Sequence, residues 1–578
     1  MKNRLLLLLL SLPLVAFFVA GGVQLFLAGP LGSDYTYFLP RLVYGYFWQV
    51  ENGFLTVPWF SPAWCGGLPF YPDPQVMFHS IPQWLLWLVD PVQTVFVTYL
   101  LFGALGALGM YLLLRQRLQI GTWLSFSGAV LFAFNEFYLF RMMAGHFSYH
   151  AYMLLPLVAW SLAGAGQGSQ SGAAAHCLFS GLLIAYLIHS GAGNLVLPVL
   201  LSVGVILMLH ALTQPVMIFR LLACSVLACL VAVSLSAAKL VSAYAFVQSF
   251  PRDTLPLGVF DTLSQSFFAL VTALFANPWF SLKEIPAGYL VQQQELHFGV
   301  TAMPVILLLI GIASIPRLAT RLTVSRVLLI LGIVAVMLTP VLLSVRQPEL
   351  ESLLKQLPYF REMSLAIRWV CLLVPLVIMI PLLLVQQAID EQTLAGRRLH
   401  VLVAVLTTGL VLISQSMTER PRDVPYDPGA LVSGYQAVRA GGSVPAIDRV
   451  TAHPEKKTFV GVDDDFLSGG SSQVCYQPLF GYRLERYPLK SLQTGSIYRE
   501  GWGFLNFKQP VCYLYPESFS CRPGDHFRRQ DSEQLAVFAT NQVVDWKRPW
   551  FHEMAVWINL VSGLLVVLLL PFLALRRQ

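Results

Sequence analysis

The sequence predicts an all-α polytopic membrane protein of about twelve transmembrane helices, with an extracytoplasmic β-rich or α/β domain just before the last helix. Two observations predict it. Of the 578 residues, 56% are apolar and only 12% are charged, about half the charge of an ordinary soluble domain. The charges are also unevenly placed, because 31 of them fall between Met417 and Trp550. The rest of the chain is almost uncharged and belongs in a bilayer. The net charge of +7 is spread thinly, with no basic run longer than two residues, so nucleic acid has no electrostatic footprint to find.

Taken in order, apolar runs suited to crossing the hydrocarbon core lie near 5–29, 92–114, 118–135, 149–165, 174–189, 194–212, 221–243, 298–316, 327–345, 369–388, 399–416 and 554–574. The start Lys2-Asn3-Arg4 followed by leucines resembles a signal peptide. No charge occurs from Leu5 to Ser33, however, which is longer than a signal core, so an uncleaved first helix is expected. Between Arg141 and Arg220 there is no Asp, Glu, Lys or Arg, and that stretch divides into spans at Gly166-Gln167-Gly168-Ser169 and Ser190-Gly191-Ala192-Gly193.

With both termini cytoplasmic, these spans place Lys2, Arg4, Arg115, Arg117, Arg220, Arg317, Arg321, Arg326, Arg397, Arg398, Arg576 and Arg577 at cytoplasmic helix ends, as the positive-inside rule expects. Outside the polar block, only the acids Asp390 and Glu391 share that side. The chain thus divides into a membrane module, 1–416, an outer domain, 417–550, and a last helix with its tail, 551–578. Lys239 is the one charge well inside a span. A transporter or lipid-linked glycan flippase would be expected to carry more, so chemistry on the outer face is the better reading.

Two outer segments stand out. Residues 30–91 are rich in Trp, Tyr, Pro and Gly, with an amphipathic stretch from Tyr37 to Val50 expected to lie along the interface. The 417–550 block alternates Val, Tyr, Phe and Thr runs with turn signals, and could be a lid with no chemistry of its own. Cys65, Cys475, Cys512 and Cys521 face the oxidising side; Cys512 and Cys521 are the favoured disulfide, with Cys475 as the rival partner, and the spacing fits no zinc motif.

The most informative segment follows the first span. Gly32-Ser33-Asp34-Tyr35-Thr36-Tyr37 sets a lone carboxylate at an outer helix mouth. Arg41 comes next, then Pro58-Trp59-Phe60-Ser61-Pro62-Ala63-Trp64-Cys65-Gly66-Gly67-Leu68-Pro69, then Asp73, Pro74 and Gln75. This pattern, with about a dozen spans and a polar outer domain, resembles the GT-C superfamily of integral-membrane glycosyltransferases, and the loop is similar to that of its YfhO-like bacterial branch. Gly145-His146 with Pro156-Leu157, and Leu357-Pro358-Tyr359-Phe360-Arg361 with Arg368 after it, extend the resemblance.

The resemblance implies an inverting enzyme, a hexosyl- or pentosyltransferase of a bacterial inner membrane. It would move a sugar from a polyprenyl-phosphate-linked donor to an envelope glycan, glycolipid or protein acceptor. Such a displacement needs a base for the acceptor hydroxyl and positive charge on the departing phosphate. Asp34 is the candidate base. Glu136 is expected at the outer end of the third span as a second catalytic acid, and with Asp34 it could bind a divalent metal such as Mg or Mn. Candidate substrate-binding residues are Tyr35, Arg41, Trp64, Asp73, Gln75, His146, Glu295 and His297, the last two in an outer loop with Glu284 and Gln292-Gln293-Gln294. Arg361 and Arg368 suit bidentate phosphate binding. Trp59, Trp64, Trp84 and Trp87 also suit an interfacial aromatic belt. A glycan polymerase or ligase, the other alternative, would be expected to show a dominant outer loop rich in Arg and His.

Overall fold

The computed structural model describes residues 2–167, 169–214, 217–249, 256–276, 293–312, 323–361, 363, 365–389, 393–417, 425–452, 462–473 and 491–575. Among them, ten helices are long and apolar enough to cross a membrane: Leu5–Leu27, Pro91–Arg117, Thr122–Ala144, Gln170–His189, Gly193–Leu212, Ile218–Leu235, Val324–Leu343, Ala366–Ala388, Leu394–Met417 and Trp550–Leu573. The chain is a multi-pass helical membrane protein.

Two of the twelve expected spans are not among the ten. The run at 149–165 is a 3₁₀ helix, Phe147–Leu154, that passes directly into the α-helix Leu155–Gln167. It starts beside His146 and ends near Arg117, whose Nε donates to the Trp160 carbonyl at 3.2 Å, so it connects the two ends of the bundle although its α-helical part is short. The run at 298–316 begins as the helix Met303–Gly311 and continues into residues outside those described. Arg317, Arg321, Asp390, Glu391, Arg576 and Arg577 also lie outside them.

The third span is longer than expected and broken. Thr122–Ala133 stops at Phe134, and the Asn135 side chain accepts from the Tyr138 N–H at 2.9 Å to cap a second helix, Glu136–Ala144. Glu136 therefore stands at a break inside the crossing, not at its outer end as the sequence suggested.

The helix Tyr35–Asn52 corrects a second expectation. It does not lie along an interface, because every residue from Tyr35 to Gln49 is buried. The outer domain covers it. In the loop that follows, β1 (Phe60–Ser61) pairs antiparallel with β2 (Leu68–Pro69). In the outer domain, β3 (Arg449–Thr451) runs parallel to β4 (Gly470–Ser472) and antiparallel to β5 (Gly495–Ser496). A second sheet sets β7 (Phe504–Lys508) between β6 (Glu500–Gly501) and β8 (His526–Arg528), both antiparallel to it. The helices Gly429–Arg439 and Ser532–Ala539 complete this domain.

Loop and domain form one packed layer. The Lys508 N–H donates to the Gly66 carbonyl at 2.7 Å, the Gly66 N–H to Ser471 Oγ at 2.9 Å, and Trp64 Nε1 to the Asp463 carbonyl at 3.0 Å. Leu31 and Tyr426 exchange two backbone hydrogen bonds of 2.8 and 2.9 Å. Trp64 is thus a core residue, packed against Tyr44, Phe70 and Phe466. Cys512 and Cys521 are joined by a disulfide, and Cys65 is disulfide-bonded too. Cys475 lies outside the described residues.

Candidate functional site

Two glycines set the position of Asp34. Gly145 ends the Glu136–Ala144 helix at φ +105°, and a Cβ there would come within 2.5 Å of the Tyr35 nitrogen. A Cβ on Gly32 would collide with the Met143 carbonyl. Without side chains at either place, the chain entering Tyr35–Asn52 presses onto the end of the other helix, and the Asp34 N–H donates to the Ala144 carbonyl at 3.1 Å. Asp34 occupies the N-cap of Tyr35–Asn52 but its side chain makes no cap hydrogen bond. The carboxylate instead points to His146, with 40% of the side chain exposed.

Behind it runs a continuous relay. His146 Nε2 is 2.7 Å from Asp34 Oδ2, and Arg141 Nη1 is 3.1 Å from His146 Nδ1. Arginine can only donate, so Nδ1 accepts and Nε2 carries the proton it gives to Asp34. Arg141 Nη2 donates to Glu295 Oε2 at 2.6 Å. Arg368 grips the same carboxylate with two bonds, Nε to Oε2 at 3.0 Å and Nη2 to Oε1 at 2.5 Å. Two guanidinium charges are thereby balanced by one buried carboxylate, Glu295, and one open carboxylate, Asp34.

The electrostatics follow from this arrangement. Burial disfavours the Asp34 charge, but the His146 imidazole and then the Arg368 charge outweigh it and hold the carboxyl below its usual range. Burial likewise works against Glu295, and Arg141 and Arg368 overcome it so strongly that the group sits well below the usual carboxylate range. Both acids are ionised at neutral pH.

The structure distributes the other expected site residues among different jobs. Tyr35 is buried and donates its hydroxyl to the Met142 carbonyl at 2.6 Å. Arg41 is buried with Asp463, Nη1 to Oδ2 at 2.7 Å, beneath the Tyr37 ring at 3.5 Å. Asp73 is buried, accepting from the Tyr37 hydroxyl at 2.6 Å and from the Gln75 N–H at 2.9 Å. Arg41, Asp73 and Trp64 therefore knit the loop to its surroundings. Gln75 is half-buried beside Asp73, and its carbonyl lies against Gly191. His297 stacks on Phe140 at 3.5 Å with Nδ1 3.7 Å from Glu136 Oε2. Arg361 closes a short helix, Pro358–Arg361, and is half-buried. Glu284 and Gln292 lie outside the described residues.

The expected metal pair does not form. Glu136 begins and Gly145 ends a helix of 9 residues, which separates the Asp34 contact from Glu136 by about 13 Å along the axis. Among the described residues there is no group of three His, Cys, Asp or Glu side chains suited to a metal. The described residues therefore do not fit a metal centre.

Sequence reasoning missed Arg141, the centre of the relay. The signal was available: it is the last charged residue before Arg220 in an apolar stretch, and an ionisable group in such a stretch marks function by default.

No family model matches the chain, and no curated protein matches its sequence. Similar solved structures include the arabinofuranosyltransferase AftD from Mycobacteria, at 15% identity and a TM-score of 0.38, with 82% of this chain and 33% of that one covered. The oligosaccharyltransferase of Archaeoglobus fulgidus is similar at 14% identity and a TM-score of 0.40. In its apo form 85% of this chain and 62% of that one are covered, and in its complex with Zn and sulfate 79% and 62%. The chain thus spans a third of the first and less than two thirds of the second.

Proposed function

We propose that this protein is a membrane glycosyltransferase of GT-C type, moving a sugar from a polyprenyl-phosphate-linked donor to an acceptor hydroxyl at the membrane face bearing Asp34. The observation that carries the reading is the open Asp34 carboxylate backed by the His146–Arg141–Glu295–Arg368 relay. A carboxylate held ionised, oriented and reachable is what a general base needs.

In the reaction, Asp34 takes the acceptor proton, the acceptor oxygen bonds to the anomeric carbon, and the carbon–phosphate oxygen bond breaks with its electron pair leaving on the phosphate. The relay starts with balanced charge. When Asp34 is protonated it gains one net positive charge, at the moment when the departing phosphate becomes more negative. That is stabilisation developed in the transition state, where it speeds the reaction. Arg368 is the candidate phosphate contact, because a quarter of its side chain is exposed and its bonds to Glu295 use Nε and Nη2 only. On this reading Asp34 lies on the extracytoplasmic face of a bacterial inner membrane, with both termini cytoplasmic.

Asp34→Asn tests the assignment, since Asn keeps an acceptor for His146 and loses the basicity. Sugar transfer by the purified variant should fall about 10²–10⁴-fold, with membrane level and melting close to the parent's. Turnover above about a tenth of the parent's with saturating donor would return Asp34 to a structural role.

A further inference from the structure

The outer domain holds a cavity of about 530 Å³ lined by Gln493, Arg499, Glu500, Trp502 and His526, among others. Its size is that of a small-molecule site. None of these residues belongs to the Asp34 relay. At its rim β6 and β7 turn through two residues only, because Gly501 pairs with Phe504. Trp502 and Gly503 both have positive φ, +58° and +81°, which defines the tight hairpin turn that favours Asn-Gly. A tryptophan is a poor choice there. Its side chain is strained by the backbone and stands 92% exposed, where it adds nothing to the core.

The lining chemistry narrows what such a tryptophan is for. Arg499 and Glu500 carry opposite charges, and Arg529 Nε lies 3.6 Å from Glu500 Oε2. His526 is buried and donates Nδ1–H to the Leu505 carbonyl at 2.7 Å. The described lining thus offers donors and acceptors of both kinds and one flat apolar face. A sugar ring presents the complement, with C–H groups on one face and hydroxyls around the edge.

We propose that the cavity beside Trp502 is a carbohydrate-binding site that holds the acceptor glycan. The acceptor role rests on the glycosyl-transfer reading; the carbohydrate site does not. The experiment presents the full chain in detergent micelles to an array of glucan, galactan, mannan and arabinan oligosaccharides, then measures affinity for any that bind. Parent and Asp34→Asn proteins should bind the same probe equally. Trp502→Asn, which suits the turn better and so keeps the hairpin, should bind about tenfold more weakly, and Trp502→Tyr should keep most of the affinity. Silence of the parent on every probe, or equal binding by Trp502→Asn, overturns the site. If instead Asp34→Asn keeps its turnover while Trp502→Asn loses binding, the transfer assignment falls and the carbohydrate site stands.

Discussion

Asp34 and Arg41 stand two helical turns apart at the start of one helix, and each anchors a buried ion network. The networks differ in one respect that decides their use. Asp34 leaves 40% of its side chain open, while Arg41 and Asp463 expose 4% and 5%. The open network keeps its carboxylates low, because guanidinium and imidazole groups outweigh burial. At the sealed junction burial wins, so Asp463 is raised in spite of Arg41, and Asp464 next to it is pushed up to about 7. On the proposed reading the same residue types serve reaction at one place and attachment at the other, and access to solvent with the local ratio of positive to negative groups separates the two.

The largest effect that could break this contrast is on stability. Arg41→Met should destabilise the protein by about 3–5 kcal/mol, because it strands the Asp463 carboxylate in a dry site. Adding Asp463→Leu should recover most of that loss, since two apolar groups can replace a buried ion pair. Chemical denaturation of the solubilised single and double variants checks both. An Arg41→Met protein as stable as the parent but inactive would move Arg41 to the reacting side of the comparison.

A smaller effect is expected within the open network. His146 is a positioning residue, reaching the acceptor only through Asp34. In His146→Gln the amide can still accept from Arg141 and donate to Asp34, so turnover should fall less than in Asp34→Asn, by roughly tenfold against the 10²–10⁴ of losing the base. The acid limb of the pH–rate profile should move upward, towards the ordinary Asp range near 3.9, because the imidazole contribution that lowers Asp34 is gone. A fall in rate with the acid limb unmoved would mean that His146 only packs.

What was legible in the sequence follows the same division. Membrane spans are local, so hydropathy finds them segment by segment, and the break at Asn135 escaped because both halves are apolar. Asp34 was legible because a lone acid at a helix mouth stands out against its neighbours. Its supporting relay was not, because Arg141 meets Glu295 across 154 positions and Arg368 meets Glu295 across 73, and tertiary packing alone makes those pairs. Arg41 and Asp463 are separated by 422 positions. An aromatic loop destined for an interface has the same composition as one destined for a core, so Trp64 and the Tyr35–Asn52 helix were read as surface until the outer domain was seen to cover them.

The smallest expected effect, and the one that sharpens the contrast most directly, is a pair of opposite pH dependences. Asp34 and Glu295 have lowered folded values, so their stabilisation is present above the unfolded range near 4 and is lost as pH falls through the folded values. Asp464 is the reverse. Burial raises it first and the charges of Asp463 and Asp465 add to that, against the opposing hydrogen bond from the Tyr426 hydroxyl, 3.0 Å from both carboxylate oxygens. The folded protein therefore binds that proton more tightly than the unfolded chain, and stability is lost as pH rises from about 4 towards 7. Tyr426 also pairs with Leu31 through its backbone, so the loosening falls on the strand that leads into Asp34. Asp464→Asn should flatten the alkaline side of the melting-temperature profile between pH 5 and 8 and leave the acid side, set by Glu295, where it was. If the variant's profile keeps the parent's slope on the alkaline side, the junction carries no titrating carboxylate in that range, and the two networks differ in exposure alone.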